Sequence, residues 1–424
     1  MPDPSQPTPK ALKNTWRWVV CGLDGTIKSF LDKLATNVRA AYILDDSAVM
    51  ACDLPSDNTE IYQHANDGTP RVNYGRRVLY GLRREEPGGG DPPWVCRFAG
   101  VITILQDQAT EDEPVTHLTA HDPWTWAKTL PVLNPDGSLL SQDGLTYTGQ
   151  TGDYIAKDLI ANAYTWIVAT FPDPMPWSEQ GDGVYLPNDG QHNFIDIDTG
   201  NFDTTEVIPE INFAQGISVG EAWTQLCQTG TLDIDLAPVF GRPGVLCVMN
   251  VYAQAGSERP NAVFGWDLFP RNLVGIDHLY DGTLIENWAQ FYAGNLAAPF
   301  EKSDGSIDIY GPYFAQKSYP AGANLPAVSL LAAAEVALRK KGKNTLVVDP
   351  AQGLAPDPFT NYYLGDIVPV WAGRPMLPNG NAFRGGIRSE SLGTNRVYGF
   401  ELDLSDDLQE TVTNLLLTDP NATI

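Results

Sequence analysis

The sequence predicts a mainly β protein with a few inserted helices, an α+β chain. Three observations predict it. Short apolar runs recur along the chain and are bounded by turn residues, of which there are many: 39 Gly and 33 Pro in 424 residues. Few stretches keep their apolar residues at helical spacing. Several runs alternate apolar with polar residues, as a half-buried strand requires.

The elements follow in order. Residues 1–14 are Pro-rich at their start and are expected to be flexible. Trp16–Cys21 and Ala48–Leu54 are short apolar strands. Arg76–Arg84 and Trp94–Leu105 flank EEPGGGDPP, whose Gly and Pro cannot continue either strand, so the pair predicts a long hairpin. Gly88 to Gly90 belong to that turn and are no phosphate loop, because no helix follows them. Val115–Ala120 is a further strand. Asp153–Tyr164 predicts a helix with Asp153 as N-cap and a stripe of Tyr154, Ile155, Leu159, Ile160 and Ala163. Ser218–Gln228 predicts another. Ser218 followed three residues later by Glu221 is a capping-box pattern, Trp223, Leu226 and Cys227 form the buried face, and Gly230 ends it. Leu325–Lys341 is Ala- and Leu-rich, and its closing Arg339, Lys340 and Lys341 suit the negative end of a helix dipole before Gly342. Thr345–Val348, Asp366–Trp371, Ala382–Arg388 and Arg396–Leu404 then read as strands joined by PNGN and SLGTN turns, a small barrel or sandwich.

Charge excludes several functions. The chain has 27 basic and 52 acidic residues, a net −25. That argues against specific nucleic-acid binding, which needs clustered Lys and Arg, and against docking on anionic lipid. No run of about 18 apolar residues is present to span a membrane, and the opening residues do not form a signal peptide. Residues 131–240 hold 16 acids and one base, Lys157, a net −15. Much of 131–210, with its FPDPMPWSEQGDG and LPNDGQHNF stretches, is expected to be loop-rich and to face water or a solvent-filled space. Cys21, Cys52, Cys96, Cys227 and Cys247 show no metal or redox spacing and are expected to be buried free thiols of a protein made in a reducing cytoplasm.

Three patterns carry candidate chemistry. Gly216-Ile217-Ser218-Val219-Gly220 matches the nucleophile elbow of serine hydrolases, but no buried parallel strand precedes it, and a helix cap already accounts for Ser218. His117 and His121 are four apart, a metal-binding spacing on a helix but not on a strand. Asp196, Asp198 and Asp203 resemble a calcium loop, yet the glycine register of an EF-hand fails. No catalytic residue, cofactor site or metal site is therefore assigned.

At three places the sequence resembles the tail hub proteins of long-tailed bacteriophages. These are relatives of the central hub of contractile-tail baseplates and are often called minor tail proteins. NVRAAYILDDSAVMACDLP, YGRRVLYGLRREE, VCRFAGVITILQDQ and THLTAHDPWTW resemble the family's N-terminal half. In it, an F-x-G-x-I strand (Phe98, Gly100, Ile102) and a D-P corner (Asp122, Pro123) lead into a short helix. SVGEAWTQLCQTGTLDIDLAP resembles its capped helix, followed by a strand alternating Leu232, Ile234 and Leu236. NYYLGDIVPVW with RGGIRSESLGTNRVYGFELDL resembles its C-terminal β module, opened by L-G-D-x-V at Leu364, Gly365, Asp366 and Val368.

The resemblance implies tandem tube-like β domains and a function without chemistry or cofactors. Expected units are a flexible 1–14, an N-terminal β tube-like domain at 15–130 and an acidic loop-rich region at 131–214. A capped helix with the second β domain at 215–320 follows, and then a helix plus C-terminal β module at 321–424. The implied assembly is a homotrimer closing the distal end of a tail tube in the virion, put together in the host cytoplasm. Implied partners are the distal tail protein ring, the tape measure protein and a central fibre or other tail-tip proteins. DNA would pass the lumen without specific binding. Two alternatives stand beside it: the hexameric distal tail ring protein itself and, from another class, a secreted serine esterase or carbohydrate-active enzyme.

Overall fold

The computed structural model describes residues 16–23, 25–31, 34–56, 72, 77–84, 93–108, 114–170, 194–204, 207–229, 232–265, 271–281, 285–319, 325–340, 343–371, 395–404 and 410–418. The first strands are β1 (Trp16–Gly22), β2 (Ile27–Phe30), β3 (Thr36–Ile43), β4 (Val49–Pro55), β5 (Arg77–Arg84), β6 (Trp94–Gln108) and β7 (Val115–His121). A mixed stretch follows: α1 (Pro123–Ala127), β8 (Leu145–Thr151), α2 (Gly152–Thr170), β9 (Ile195–Asp196), β10 (Phe202–Asp203), β11 (Val207–Phe213), α3 (Val219–Cys227), β12 (Asp233–Pro238) and β13 (Cys247–Tyr252). Next come β14 (Phe264–Gly265), β15 (Leu273–Asp281), β16 (Trp288–Ala293), β17 (Leu296–Ala297), β18 (Glu301–Lys302), α4 (Asp304–Tyr310) and β19 (Phe314–Tyr319). The last elements are α5 (Leu325–Arg339), β20 (Lys343–Pro350), β21 (Ile367–Val368), β22 (Val370–Trp371), β23 (Asn395–Leu404) and β24 (Glu410–Thr418).

One large sheet organises the molecule. Among the described residues it has 12 strands in the order β15-β20-β24-β23-β3-β4-β7-β6-β5-β1-β2, with β21 on β23. Strands from the two ends of the sequence therefore lie side by side. The join is the antiparallel pair β3–β23, from Val38↔Leu404 to Ile43↔Gly399. The expected hairpin is present, with β5 and β6 paired from Val78↔Val101 to Arg84↔Trp94 and one register shift between Gly81 and Leu82.

Side-chain alternation explains why β1 is apolar on both faces from Trp16 to Cys21, Arg17 excepted. Trp16, Trp18 and Val20 enter the main core, while Val19 and Cys21 enter a smaller core on the opposite face. A strand covered on both faces needs apolar residues at every position. Trp16 and Trp18 stack with centroids 5.2 Å apart, and Phe359 meets the Trp16 ring edge-on at 6.0 Å. Gly100 of the F-x-G-x-I strand has a steric reason: a Cβ there would lie 2.6 Å from the His121 carbonyl oxygen of β7. Its neighbours Phe98 and Ile102 are core residues.

A second core draws α1, α2 and α3 onto β9–β13, from Trp124 to Val251. A third packs β16 and β19 against Val328, Ala332 and Val336 of α5. The second core takes residues from both sides of 131 and 215, and the third from both sides of 321. The region expected to be loop-rich supplies much of the second core, including Ile155, Leu159, Ile160 and Ile208.

The capped helix, the Ala-rich helix and the strands at 16, 49, 77, 94, 115, 343 and 395 are present. Asp153 is not an N-cap. The helix begins at Gly152, Asp153 sits in its first turn bonding the Tyr154 N–H at 2.8 Å, and Tyr154 is 52% exposed. Asp366–Trp371 is not one strand. Pro369, which lacks an N–H, separates β21 on β23 from β22, which pairs in parallel with β14. The PNGN turn, Ala382–Arg388, Gly230, Lys341, Gly342, the 85–92 loop tip and residues 171–193 lie outside the described residues. No described helix is long and apolar enough to cross a membrane.

Candidate functional site

The motifs singled out in the sequence converge on a charged seam between the large sheet and the helical core. Asp122, the D-P corner, caps α1 by accepting the Trp124 N–H at 3.1 Å. Its carboxylate also reaches across to the β3–β4 turn, accepting the Ala48 N–H at 2.9 Å and the Ser47 hydroxyl at 2.8 Å. One aspartate thus starts the helix and pins the turn beneath it. Burial pushes its carboxyl up to about 7, and the hydrogen bonds only partly offset that.

The same turn presents Asp45, in the left-handed region at φ 59. Its carboxylate accepts the Ile234 N–H of β12 at 2.9 Å. Beside it Asp233 accepts from the guanidinium of Arg396 on β23 and from the Ala255 N–H at 2.6 Å. Burial, and after it the nearby Asp233 charge, push the Asp45 carboxyl up to about 8. Two acids therefore face one guanidinium at the point where turn, edge strand and large sheet meet.

The L-G-D motif forms the adjoining lock. Asp366 is buried and accepts the Ser257 N–H at 2.6 Å, the Tyr363 N–H at 2.9 Å and Arg259 Nε at 2.8 Å. Gly365, at φ 84, lies so close to the 255–256 backbone that a Cβ would be 2.6 Å from the Ala255 carbonyl oxygen. Gly256, also at φ 84, faces it equally tightly. Arg97 lies over the rings of Phe359 and Tyr363, at 5.0 and 5.1 Å from their centroids. These walls enclose a cleft of about 420 Å³ between β12, β6, the β3–β4 turn and the 359–366 segment.

The other candidates resolve into structure. Ser218 Oγ accepts the Glu221 N–H at 3.2 Å and donates to the Glu221 carboxylate at 2.9 Å, and that carboxylate also takes the Ser218 N–H. The hydroxyl is committed to a complete capping box. His117 and His121 stand on strand β7, where four residues span about 13 Å, too far for one ion. Each has its own partner: His117 meets Asp53 at 2.5 Å and Gln108 at 2.9 Å, and His121 meets Thr103 at 2.7 Å. Asp196 is buried and filled with donors: the Asp198 and Thr199 N–H groups, the Thr199 hydroxyl and Arg242. Asp198 pairs loosely with Lys157 at 3.6 Å, and Asp203 is exposed. No group of three or more metal-ligating side chains occurs among the described residues.

Sequence reasoning placed Asp122, Gly365 and Asp366 in motifs but missed Asp45, Asp233, Gly256, Arg259 and Arg396. A basic residue opening an apolar strand, as Arg396 does, was the one available signal.

This fold, a large sheet joined from two strand sets and locked to a small helical core, is that of bacteriophage tail proteins. Three solved structures share it. A tail protein from Neisseria meningitidis superposes with a TM-score of 0.54 at 14% identity, over 96% of this chain and 99% of that one. A prophage tail protein from Shewanella oneidensis gives 0.55 at 12% identity, over 96% and 99%. A prophage tail protein from Listeria monocytogenes gives 0.52 at 8% identity, over 95% and 94%. No protein-family model and no curated protein matches the sequence.

Proposed function

We propose that the chain is a structural tail component, the hub that closes the distal end of a phage tail tube as a homotrimer. One observation carries the reading. The chain contributes two strand sets, β1–β7 and β15 with β20, β21, β23 and β24, to one continuous sheet. Three such chains offer six sets, matching a sixfold ring above. In this role the hub contacts the distal tail ring and tape measure protein on one side and a central fibre or other tip proteins on the other. DNA leaves through its lumen, where the chain's net −25 keeps phosphate from adhering. The role needs no catalysis and no cofactor, in keeping with a Ser218 consumed by its cap. The protein works in the virion tail tip, and its five free thiols suit assembly in a reducing cytoplasm.

The test is the symmetry of the purified assembly, by mass photometry and particle reconstruction. A threefold particle supports the hub. A stable sixfold ring would reassign the chain to the distal tail ring.

A further inference from the structure

The seam cleft contains a carboxylate that the chain itself leaves almost uncompensated. Asp235 lies on β12, which pairs with β13 and forms an edge of its sheet among the described residues. It lines the cleft of about 420 Å³ and is half-buried. Its one hydrogen bond comes from Asn250 Nδ2 at a long 3.4 Å. Among the described residues no lysine or arginine pairs with it.

The other charges of the cleft are engaged. Arg259 is held by Asp366 at 2.8 Å, and Arg97 is packed on the rings of Phe359 and Tyr363. Asp46 has Lys128 at 2.5 Å, Asp122 is saturated by Ser47, Ala48 and Trp124, and Asp45 takes the Ile234 N–H. The lining also contains two buried polar atoms without a protein hydrogen-bond partner, Tyr42 Oη and Trp124 Nε1. Desolvated carboxylates are ordinarily paired, because an isolated one is costly. The burial that raises the Asp235 carboxyl above the ordinary range fits a group awaiting its counter-ion.

We propose that the cleft is a socket for a lysine or arginine side chain of a neighbouring tail protein, with Asp235 as its counter-ion. The cleft volume falls in the range of formed binding pockets, about 300–1,000 Å³. Tyr252, on the same face of the sheet as Asp235, lines it as well and would cover an aliphatic stem. The charge is complementary: an acidic wall meets a cationic partner, while an anionic one would be repelled. The proposal rests on the reading of the chain as part of a larger assembly.

The experiment uses the isolated full chain, so its outcome is independent of the assembly's symmetry. N-acetyl-arginine amide is titrated calorimetrically against the uncharged isostere N-acetyl-citrulline amide. Saturable binding of the arginine probe alone is expected, weakened about tenfold or more by Asp235→Asn and unchanged by Asp198→Asn on the exposed surface. Carbodiimide–glycinamide labelling of Asp235 in the unmutated chain should fall when the arginine probe is present, a readout that needs no variant to fold. No binding, equal binding of both probes, an unchanged affinity in Asp235→Asn or unprotected labelling each overturns the socket.

Discussion

Arg396 and Asp233, 163 residues apart in sequence, form a buried ion pair that ties the C-terminal strands of the large sheet to the edge strand of the helical core. The pair sits where three elements meet, and Asp233 holds the Ala255 N–H as well. It is the electrostatic counterpart of the β3–β23 join.

Removing one partner strands the other charge. Asp233→Ala should therefore destabilise the fold by about 3–5 kcal/mol. Replacing both, as Asp233→Leu with Arg396→Met, should recover part of that loss. Chemical denaturation of the two variants measures it, and a single variant that unfolds like the parent would show that the pair contributes nothing.

The seam should respond to pH through Asp45. Its carboxyl stands at about 8 in the folded chain, through burial and the Asp233 charge, against 3.8 for an ordinary aspartate. Between those values the folded state binds a proton that the unfolded state has lost. Stability therefore falls as pH rises from about 4 to about 8, and this contribution levels off above. Asn can adopt the left-handed φ of 59 and still accept the Ile234 N–H. Asp45→Asn should thus flatten the melting-temperature profile in that window. Parallel profiles for parent and variant would remove Asp45 from the account.

The capped helix separates packing from capping. Trp223 is fully buried, meets Trp124 edge-on and donates Nε1–H to the Ala156 carbonyl at 2.9 Å. Trp223→Ala should cost about 3–5 kcal/mol, and Ser218→Ala about 1 kcal/mol. A chromogenic ester assay run beside the stability measurements should show no activity in either form. Ester hydrolysis lost in Ser218→Ala at unchanged stability would instead make Ser218 a nucleophile.

The glycine contact at the L-G-D lock should tolerate no side chain. At φ 84, alanine carries about 1–2 kcal/mol of backbone strain, and its Cβ would collide with the Ala255 carbonyl. Gly365→Ala should exceed that strain alone. The exposed Gly216, at φ 86 with open space around its Cβ position, should show the strain and little more. Equal losses at both sites would mean that the close approach carries no energy.

Local rules made much of this legible in advance. Ser218 and Glu221 announced a capping box, Asp122-Pro123 a corner, and the Gly- and Pro-bounded apolar runs most of the strands of the large sheet. Each of these depends on residues a few positions apart. The misreadings were also local. Asp153 carried the right residue type for a cap but lay one position inside its helix, and Pro369 split an apolar run that hydropathy alone joined.

By itself, then, the sequence determined the β-rich class, the capped helix with Ser218 as its cap, and the motif order that resembles tail hubs. Only the tertiary structure decided that β3 pairs with β23, that Asp233 pairs with Arg396 beside Asp45, that Gly256 meets Gly365, and that Asp235 is left facing a cleft. The physical reason is range. Caps, turns and alternation are set by contacts between near neighbours and leave a signature at fixed spacing. Strand order, buried charge pairing and backbone approach are set by which distant segments exclude water from one another, and no spacing in the chain records that.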